Sequence, residues 1–166
     1  PVNAISQSGT PLDLAKGYRQ PEAAALLQAK RGRAGREVSI HMAAAKGDAI
    51  AVQTFIQRGI KVNTPGPLHK STPLHWAAGA GKVNTMETLI SLGADVDALS
   101  DSDATPLHQA VLQHHPEAVK LLIRSNADLN SQNKSGYTPL DYATANGWAD
   151  LAELLQTAGA VPGKSL

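Results

Sequence analysis

Histidines are the residues of this chain best suited to bind a metal ion or to transfer protons, and the sequence holds six of them. His41, His75 and His108 recur 34 and 33 residues apart. Such a fixed period predicts stacked repeats, in which equivalent residues lie about 10 Å apart, one helix diameter. A metal ion needs its histidine nitrogens at about 2 Å. One metal ion therefore cannot bind all three histidines, and we predict a structural role for them.

The remaining histidines also lack the spacing of a metal site. His114 and His115 are adjacent, so they point to different faces of a helix, and Glu117 completes no H-x-x-x-H pattern with them. We expect a surface interaction role for this pair. His69 lies in a proline-rich stretch and is expected to be an exposed contact residue.

Paired carboxylates could act as a general acid and base, and two such pairs are present, Asp95 with Asp97 and Asp101 with Asp103. Both lie in turn segments, where aspartate accepts hydrogen bonds from its own backbone. The sequence has no glycine-rich phosphate loop, no serine elbow and no cysteine. We therefore expect no enzyme activity, no catalytic residue, no metal and no cofactor.

Charge is distributed unevenly along the chain, although the net charge is only +1. Residues 1–83 carry 11 basic and 4 acidic side chains, whereas residues 84–166 carry 4 and 10. The molecule is therefore predicted to be an electrostatic dipole. The basic segment 30–36 could contact nucleic acid through phosphates, but it has no interleaved aromatic residues, so a solvated linker is favoured. No apolar run approaches the roughly 18 residues of a membrane helix, and we expect no membrane partner.

One short motif recurs through the chain. It reads TPLDLA from Thr10, TPLHWAA from Thr72, TPLHQA from Thr105 and TPLDYA from Thr138, with a fainter copy from Val38. Threonine is a good cap for a helix whose first turn holds proline, because the missing proline N–H is not needed there. Each copy therefore predicts the start of a helix.

The Thr-Pro-Leu-His signature at a 33-residue period resembles the ankyrin repeat, and the likeness extends over essentially all 166 residues. The resemblance implies an all-α solenoid of stacked helix-turn-helix units with short β-hairpin loops. It also implies that the recurring histidines bond to the backbone of neighbouring loops. The family's role implies a rigid concave surface that is presented to a protein or peptide partner, with no small-molecule substrate.

Five units of different type are predicted. The form Thr-Pro-Leu-Asp at Thr10 and Thr138 indicates the ends of arrays, and only 28 residues separate Thr10 from Val38. The predicted units are 1–35 (cap-like, the end of a preceding array), 36–64 (N-cap-like), 65–98, 99–131 and 132–160 (C-cap-like), followed by a tail, 161–166. Because the chain begins at Pro1, we expect a fragment of a longer, bacterial-type array. We expect a cytoplasmic location, with a periplasmic or secreted one left open.

The second helix of each unit is expected to supply much of the core. The apolar residues at helical spacing in these helices are Val52, Phe55 and Ile56, then Met86, Leu89 and Ile90, then Val119, Leu121 and Leu122. Gly59 and Asn126 are expected in the left-handed conformation that ends a helix. Trp76 and Tyr142 are expected in the core, and Trp148 on the surface.

Function is expected in what differs between the copies. The resemblance places a partner-binding strip on the hairpin tips and the inner faces of the first helices. Carried over residue by residue, the strip consists of Leu68, His69, Ser71, Ala80, Leu99, Asp101, Ser102, Leu112, Gln113, His114, Gln132, Lys134, Tyr137 and Asn146, with Tyr18 and Arg19 as further candidates. Leu99 and Leu112 are apolar where solvent is expected, and Tyr137 could anchor a partner. We expect an interaction scaffold, either an adaptor or an inhibitor. The alternatives are a structural spacer in a larger protein or weak nucleic-acid contact through the basic half.

Overall fold

The computed structural model describes residues 39–67 and 69–163. The chain divides into two units, residues 1–38 and 39–166, and the first lies outside the described residues. The predicted unit at 1–35, with Tyr18 and Arg19, and the whole basic segment 30–36 therefore lie outside them too. The boundaries proposed for the five units stay predictions.

Four pairs of helices, without a strand, make up the described part of the chain. The pairs are α1 (Ile40–Lys46) with α2 (Ala49–Gln57), α3 (Pro73–Gly79) with α4 (Val83–Ser91), α5 (Pro106–Leu112) with α6 (Pro116–Arg124), and α7 (Pro139–Ala145) with α8 (Ala149–Thr157). None of these eight helices is long and apolar enough to cross a bilayer. The predicted all-α architecture of helix-turn-helix units is confirmed.

A capping box starts three of the four first helices. Thr72, Thr105 and Thr138 lie in an extended conformation before a proline, and the third helical residue accepts a hydrogen bond from the threonine N–H. Ser39 caps α1, because its hydroxyl accepts a hydrogen bond from the Met42 N–H. The recurring motif thus sets where each first helix begins.

Left-handed residues follow the second helices. The φ angle is 91° at Gly59, 88° at Gly93, 60° at Asn126 and 101° at Gly159. The predictions for Gly59 and Asn126 are confirmed, since asparagine tolerates this region better than most residues that carry a Cβ.

The helices pack in two layers. First helices α1, α3, α5 and α7 contact one another in sequence order, and so do second helices α2, α4, α6 and α8. Small alanines at the centre of the core let the helices approach closely. Of the predicted core residues, Phe55, Ile56 and Ile90 pack at the edge of the core. The buried ones are Val52, Met86, Leu89, Val119, Leu121 and Leu122.

Tight hairpin turns connect the units. In each turn a backbone hydrogen bond joins the two arms: Gly66 N–H to Ser71 O at 2.9 Å, Ser100 N–H to Ala104 O at 3.0 Å, and Asn133 N–H to Tyr137 O at 3.0 Å. The last two turns each have a second bond inside, from Asp103 N–H to Ser100 O and from Gly136 N–H to Asn133 O. Each hairpin lies beside the start of the first helix that follows it.

Candidate partner-binding groove

Histidine at the fourth motif position ties each unit to the next hairpin. Its Nε2 donates to a backbone carbonyl: His41 to Thr64 (2.8 Å), His75 to Ala104 (2.9 Å) and His108 to Tyr137 (3.1 Å). The Nδ1 of His75 accepts from the Thr72 N–H at 3.1 Å, so the neutral Nε2–H tautomer satisfies both contacts. Burial lowers the pKa of all three histidines below the usual value. The predicted structural role is confirmed.

Two further rows of hydrogen bonds set the spacing between units. At the hairpin tips, the Asp101 N–H donates to His69 O at 2.8 Å and the Lys134 N–H to Ser102 O at 2.9 Å. After the second helices, side-chain oxygens accept from the backbone of the next unit: Asn63 from Asp95, Asp97 from Asp128, and Asn130 from Val161. Because every bond joins one unit to the next, the rows hold the stack at a fixed spacing.

An open groove lies between the hairpins and the first helices. Its larger cavity, about 460 Å³, has walls from α1, α3, α5 and the hairpins before α3 and α5. A smaller cavity of about 190 Å³ extends to α7 and shares Ser102 and Gln109 with the larger one. The two cavities together are called the groove below.

The groove is nearly uncharged. Its larger cavity has no lysine, arginine, aspartate or glutamate in its walls, and Lys134 is the charged residue of the smaller cavity. Small residues such as Gly79 and Ala80 line it together with Gln109 and Gln113. Glutamine amides both donate and accept hydrogen bonds. These walls are therefore suited to an uncharged chain segment that carries backbone amides and apolar side chains.

Comparison with known families gives the same architecture. A family model of ankyrin repeats in three copies matches residues 40–133 and 93–164, which together cover most of the chain. This chain belongs to the ankyrin repeat family. Alpha-latrotoxin-Lhe1a of Latrodectus hesperus is 45% identical to it over 51 residues, which is 31% of this chain and 4% of that protein. The chain thus spans a small part of that relative's length.

Half of the predicted contact residues lie in the walls of the groove. Those in its walls are His69, Ser71, Ala80, Ser102, Leu112, Gln113 and Lys134. Those outside the two cavities are Leu99, Asp101, His114, Gln132, Tyr137 and Asn146, whereas Leu68 lies outside the described residues. The Asp101 carboxylate lies 3.7 Å from the Lys70 ammonium, and the Tyr137 ring lies 5.9 Å from that of Tyr142. Their contact with a partner stays a prediction.

The motif position that follows the histidine faces the groove. This placement was not predicted from the sequence. Trp76, Gln109 and Tyr142 occupy it and line the cavities, and Met42 in the same position is 42% exposed. The core assignment of Trp76 and Tyr142 is corrected: both are half-buried and pack only at the edge of the core. The variation itself was the signal, because a core position does not alternate between methionine, tryptophan, glutamine and tyrosine.

The His114-His115 turn joins three ankyrin units. His114 has φ 53°, its Nε2 lies 3.1 Å from an Asp150 oxygen, and its ring lies 5.0 Å from that of Trp148. The Nε2 of His115 contacts Gly79 O at 3.1 Å. The hydrogen bond from His114 lowers the pKa of Asp150. Both histidines are thus engaged by neighbouring units, and the expectation of an exposed Trp148 is wrong, because it is half-buried.

In the last described unit a carboxylate replaces the histidine. Asp141 accepts from the Thr138 N–H at 2.8 Å and from the Gly163 N–H at 3.1 to 3.2 Å. A carboxylate only accepts, so it holds a backbone N–H where the histidines hold a carbonyl. Across residues 39–67 and 69–163, no three histidine or acidic side chains come together as metal ligands would.

Proposed function

We propose that this ankyrin stack is a non-enzymatic interaction scaffold that binds an uncharged segment of a partner protein in the groove, as an adaptor or as an inhibitor. The continuity of the groove carries the proposal, since two cavities that share Ser102 and Gln109 run along α1, α3, α5 and α7. The hydrogen-bond rows keep its walls in place without a partner. Binding to a preformed surface costs little ordering of the scaffold.

Exposed apolar side chains beside the groove support the same proposal. Leu112, in the wall of the smaller cavity, is 41% exposed, and Leu99 is 54% exposed in the hairpin before α5. Trp76 adds a large aromatic surface to the larger cavity. Tryptophan is among the residues that most often carry binding energy at protein interfaces, and exposed apolar residues that cluster together mark interaction sites.

The substitution Gln109→Glu tests the proposal. Gln109 lines both cavities, and the change keeps its shape while adding a negative charge. A partner's apolar segment would bury that charge at a cost of several kcal/mol, so partner capture should fall by more than about tenfold. The matched control is Gln53→Glu on the exposed face of α2, which adds the same charge outside the groove.

The measurement is affinity capture from a cell extract with the unmodified chain and both variants, quantified by mass spectrometry. Circular dichroism checks that all three have the same helical content. The proposal predicts proteins that the unmodified chain and the Gln53 variant retain and the Gln109 variant loses. If no captured protein distinguishes the two variants, the groove is not the binding surface, and a spacer role becomes the better explanation.

A further inference from the structure

The smaller cavity of the groove differs from the larger one in its polar side chains. It measures about 190 Å³ and lies between the hairpin before α5, the hairpin before α7 and the helices that follow them. Asn133, Lys134 and Tyr142 line it, and no carboxylate does. A cavity with a few placed polar groups is the usual form of a site that recognises one chemical group.

Asn133 is held in one orientation by its own hairpin. Its Oδ1 accepts from the Ser135 N–H at 2.9 Å and from the Tyr137 N–H at 3.1 Å. These two bonds identify the oxygen end of the amide, because a backbone N–H can only donate. The Nδ2 end therefore points to α7, where it donates to the Tyr142 hydroxyl at 2.8 Å.

The Tyr142 hydroxyl keeps its own hydrogen to donate. A phenol oxygen that accepts from an amide still carries one O–H donor. No acceptor for this hydrogen lies within hydrogen-bond distance in residues 39–67 and 69–163. The ring is held by an edge contact with His108, at 6.1 Å between ring centroids. Tyr142 thus provides a positioned donor in the wall of the cavity.

Lys134 supplies the positive charge. Its backbone is fixed at the hairpin tip, because its N–H donates to Ser102 O at 2.9 Å. The Lys134 ammonium has no carboxylate within 4.0 Å in the part of the chain that the structure describes, whereas Lys70 lies 3.7 Å from Asp101. The charge of Lys134 is therefore available to an external anion.

The hairpin itself does not need the pair of Asn133 and Tyr142. In the preceding unit Ser100 takes the place of Asn133, and Gln109 takes that of Tyr142. Ser100 closes its hairpin with the same backbone bond, and its Oγ contacts that of Ser102 at 3.1 Å. The side-chain bond between Asn133 and Tyr142 is thus an addition to the repeat, and its effect is to fix a donor beside Lys134.

We propose that the smaller cavity binds the carboxylate of an acidic side chain that flanks the uncharged segment of the partner. A carboxylate only accepts hydrogen bonds, whereas the Lys134 ammonium only donates and Tyr142 has a donor to give. One ammonium group also matches the single charge of a carboxylate, and charge-assisted hydrogen bonds are stronger than neutral ones.

This inference rests on the proposed function, since the larger cavity holds the uncharged part of the segment. Ser102 and Gln109 line both cavities, so a segment in the larger cavity continues directly into the smaller one. The acidic residue therefore lies at the α7 end of the groove. It sets the direction in which the segment binds.

The test uses two blocked tripeptides, acetyl-Ala-Glu-Ala-amide and its uncharged analogue acetyl-Ala-Gln-Ala-amide. Each is titrated into the full chain labelled with 15N and followed by amide NMR shifts at neutral pH and constant ionic strength. The glutamate peptide should bind at least about tenfold more tightly than the glutamine peptide. The amides of Lys134 and Tyr142 should shift and saturate with it.

Two variants separate a binding role from a structural one. Tyr142→Phe keeps the ring and removes the O–H donor, and Lys134→Gln removes the charge. Each should remove most of the preference for glutamate and leave the affinity for the glutamine peptide unchanged. The matched control is Lys61→Gln, an exposed lysine after α2 and outside both cavities, which should keep the preference.

Equal affinity of the two peptides for the unmodified chain, or a preference that survives both variants, would overturn the proposal. Tighter binding of Ala-Ala-Ala with a free carboxyl terminus would assign the cavity to a chain end and so overturn the side-chain source. The proposed function fails separately, when no captured protein distinguishes Gln109→Glu from Gln53→Glu. A glutamate preference that remains in that case would assign the cavity to free carboxylate compounds.

Discussion

The histidine tie between units gives the sharpest prediction about stability, through the substitution His75→Asn. Asparagine reaches as far as Nδ1 does and can still accept from the Thr72 N–H, as Asp141 does from Thr138 in the last described unit. It cannot reach the Ala104 carbonyl, to which His75 donates at 2.9 Å. The variant therefore keeps the helix cap and loses only the tie to the next unit.

The cost of His75→Asn follows from burial. The imidazole is 2% exposed and the Ala104 carbonyl belongs to a buried residue. A lost hydrogen bond and an unpaired buried acceptor cost about 1–3 kcal/mol, and the space left by the ring adds about 1 kcal/mol. We expect urea unfolding to show a loss of about 2–4 kcal/mol. The control His114→Asn removes a largely exposed contact to Asp150 and should cost less than about 1 kcal/mol.

The pH dependence of stability is a second measurement that tests the effect of His75→Asn. The folded protein holds the pKa of His75 below its usual value of about 6.5. Below that pH the His75 imidazole binds a proton in the unfolded chain but not in the folded chain. Stability is therefore lost as the pH falls from about 6.5 toward the lowered pKa. Each such histidine contributes at most about 1.4 kcal/mol per pH unit in this window. The stability of the His75→Asn variant should therefore decline less steeply with falling pH than that of the unmodified chain.

Two results would refute this reasoning about His75. One is a variant within about 0.5 kcal/mol of the unmodified chain, a change no larger than that of an ordinary surface substitution. The other is an unchanged slope of stability against pH between about 5 and 6.5, above the range in which carboxylates titrate.

Two further substitutions test how the stack is closed and capped. Gly163→Ala places a Cβ 2.8 Å from the Thr138 methyl group. We expect calorimetry to show that the free energy of unfolding falls by about 1–3 kcal/mol. A melting temperature equal to that of the neighbouring control Pro162→Ala would contradict the close contact. Lys82→Asp should stabilise the chain by about 1 kcal/mol in urea unfolding, because it gives α4 the carboxylate cap that Asp48 gives α2. Lys82→Ala, which adds no acceptor, should bring no such gain, and an equal gain in both variants would argue against capping.

Much of the local structure follows from the sequence alone. The Thr-Pro-Leu-His motif determines the helix starts, because the cap, the proline and the histidine that closes the box lie within four residues of one another. Asn126 was correctly expected in the left-handed conformation, since that preference belongs to the residue itself. The period of 33 residues then fixes which histidines are equivalent, and so excluded a shared metal ion.

The location of the Trp76 side chain could be determined only from the tertiary structure. Its spacing from the motif fits either the core or an inner helix face, and only the packing of α1, α3 and α5 shows that it lines the groove. The partner of His114 is likewise Asp150, 36 residues away, and the contact depends on how far apart the units stack.

The sequence by itself determined where the described first helices begin and where the second helices end, because capping and turn preference act over a few residues. Only the tertiary structure decided which side chains face the groove and which pair across units. These contacts depend on the rotation and spacing between neighbouring units, which the hydrogen-bond rows of His75, Asp97 and Asp101 fix together.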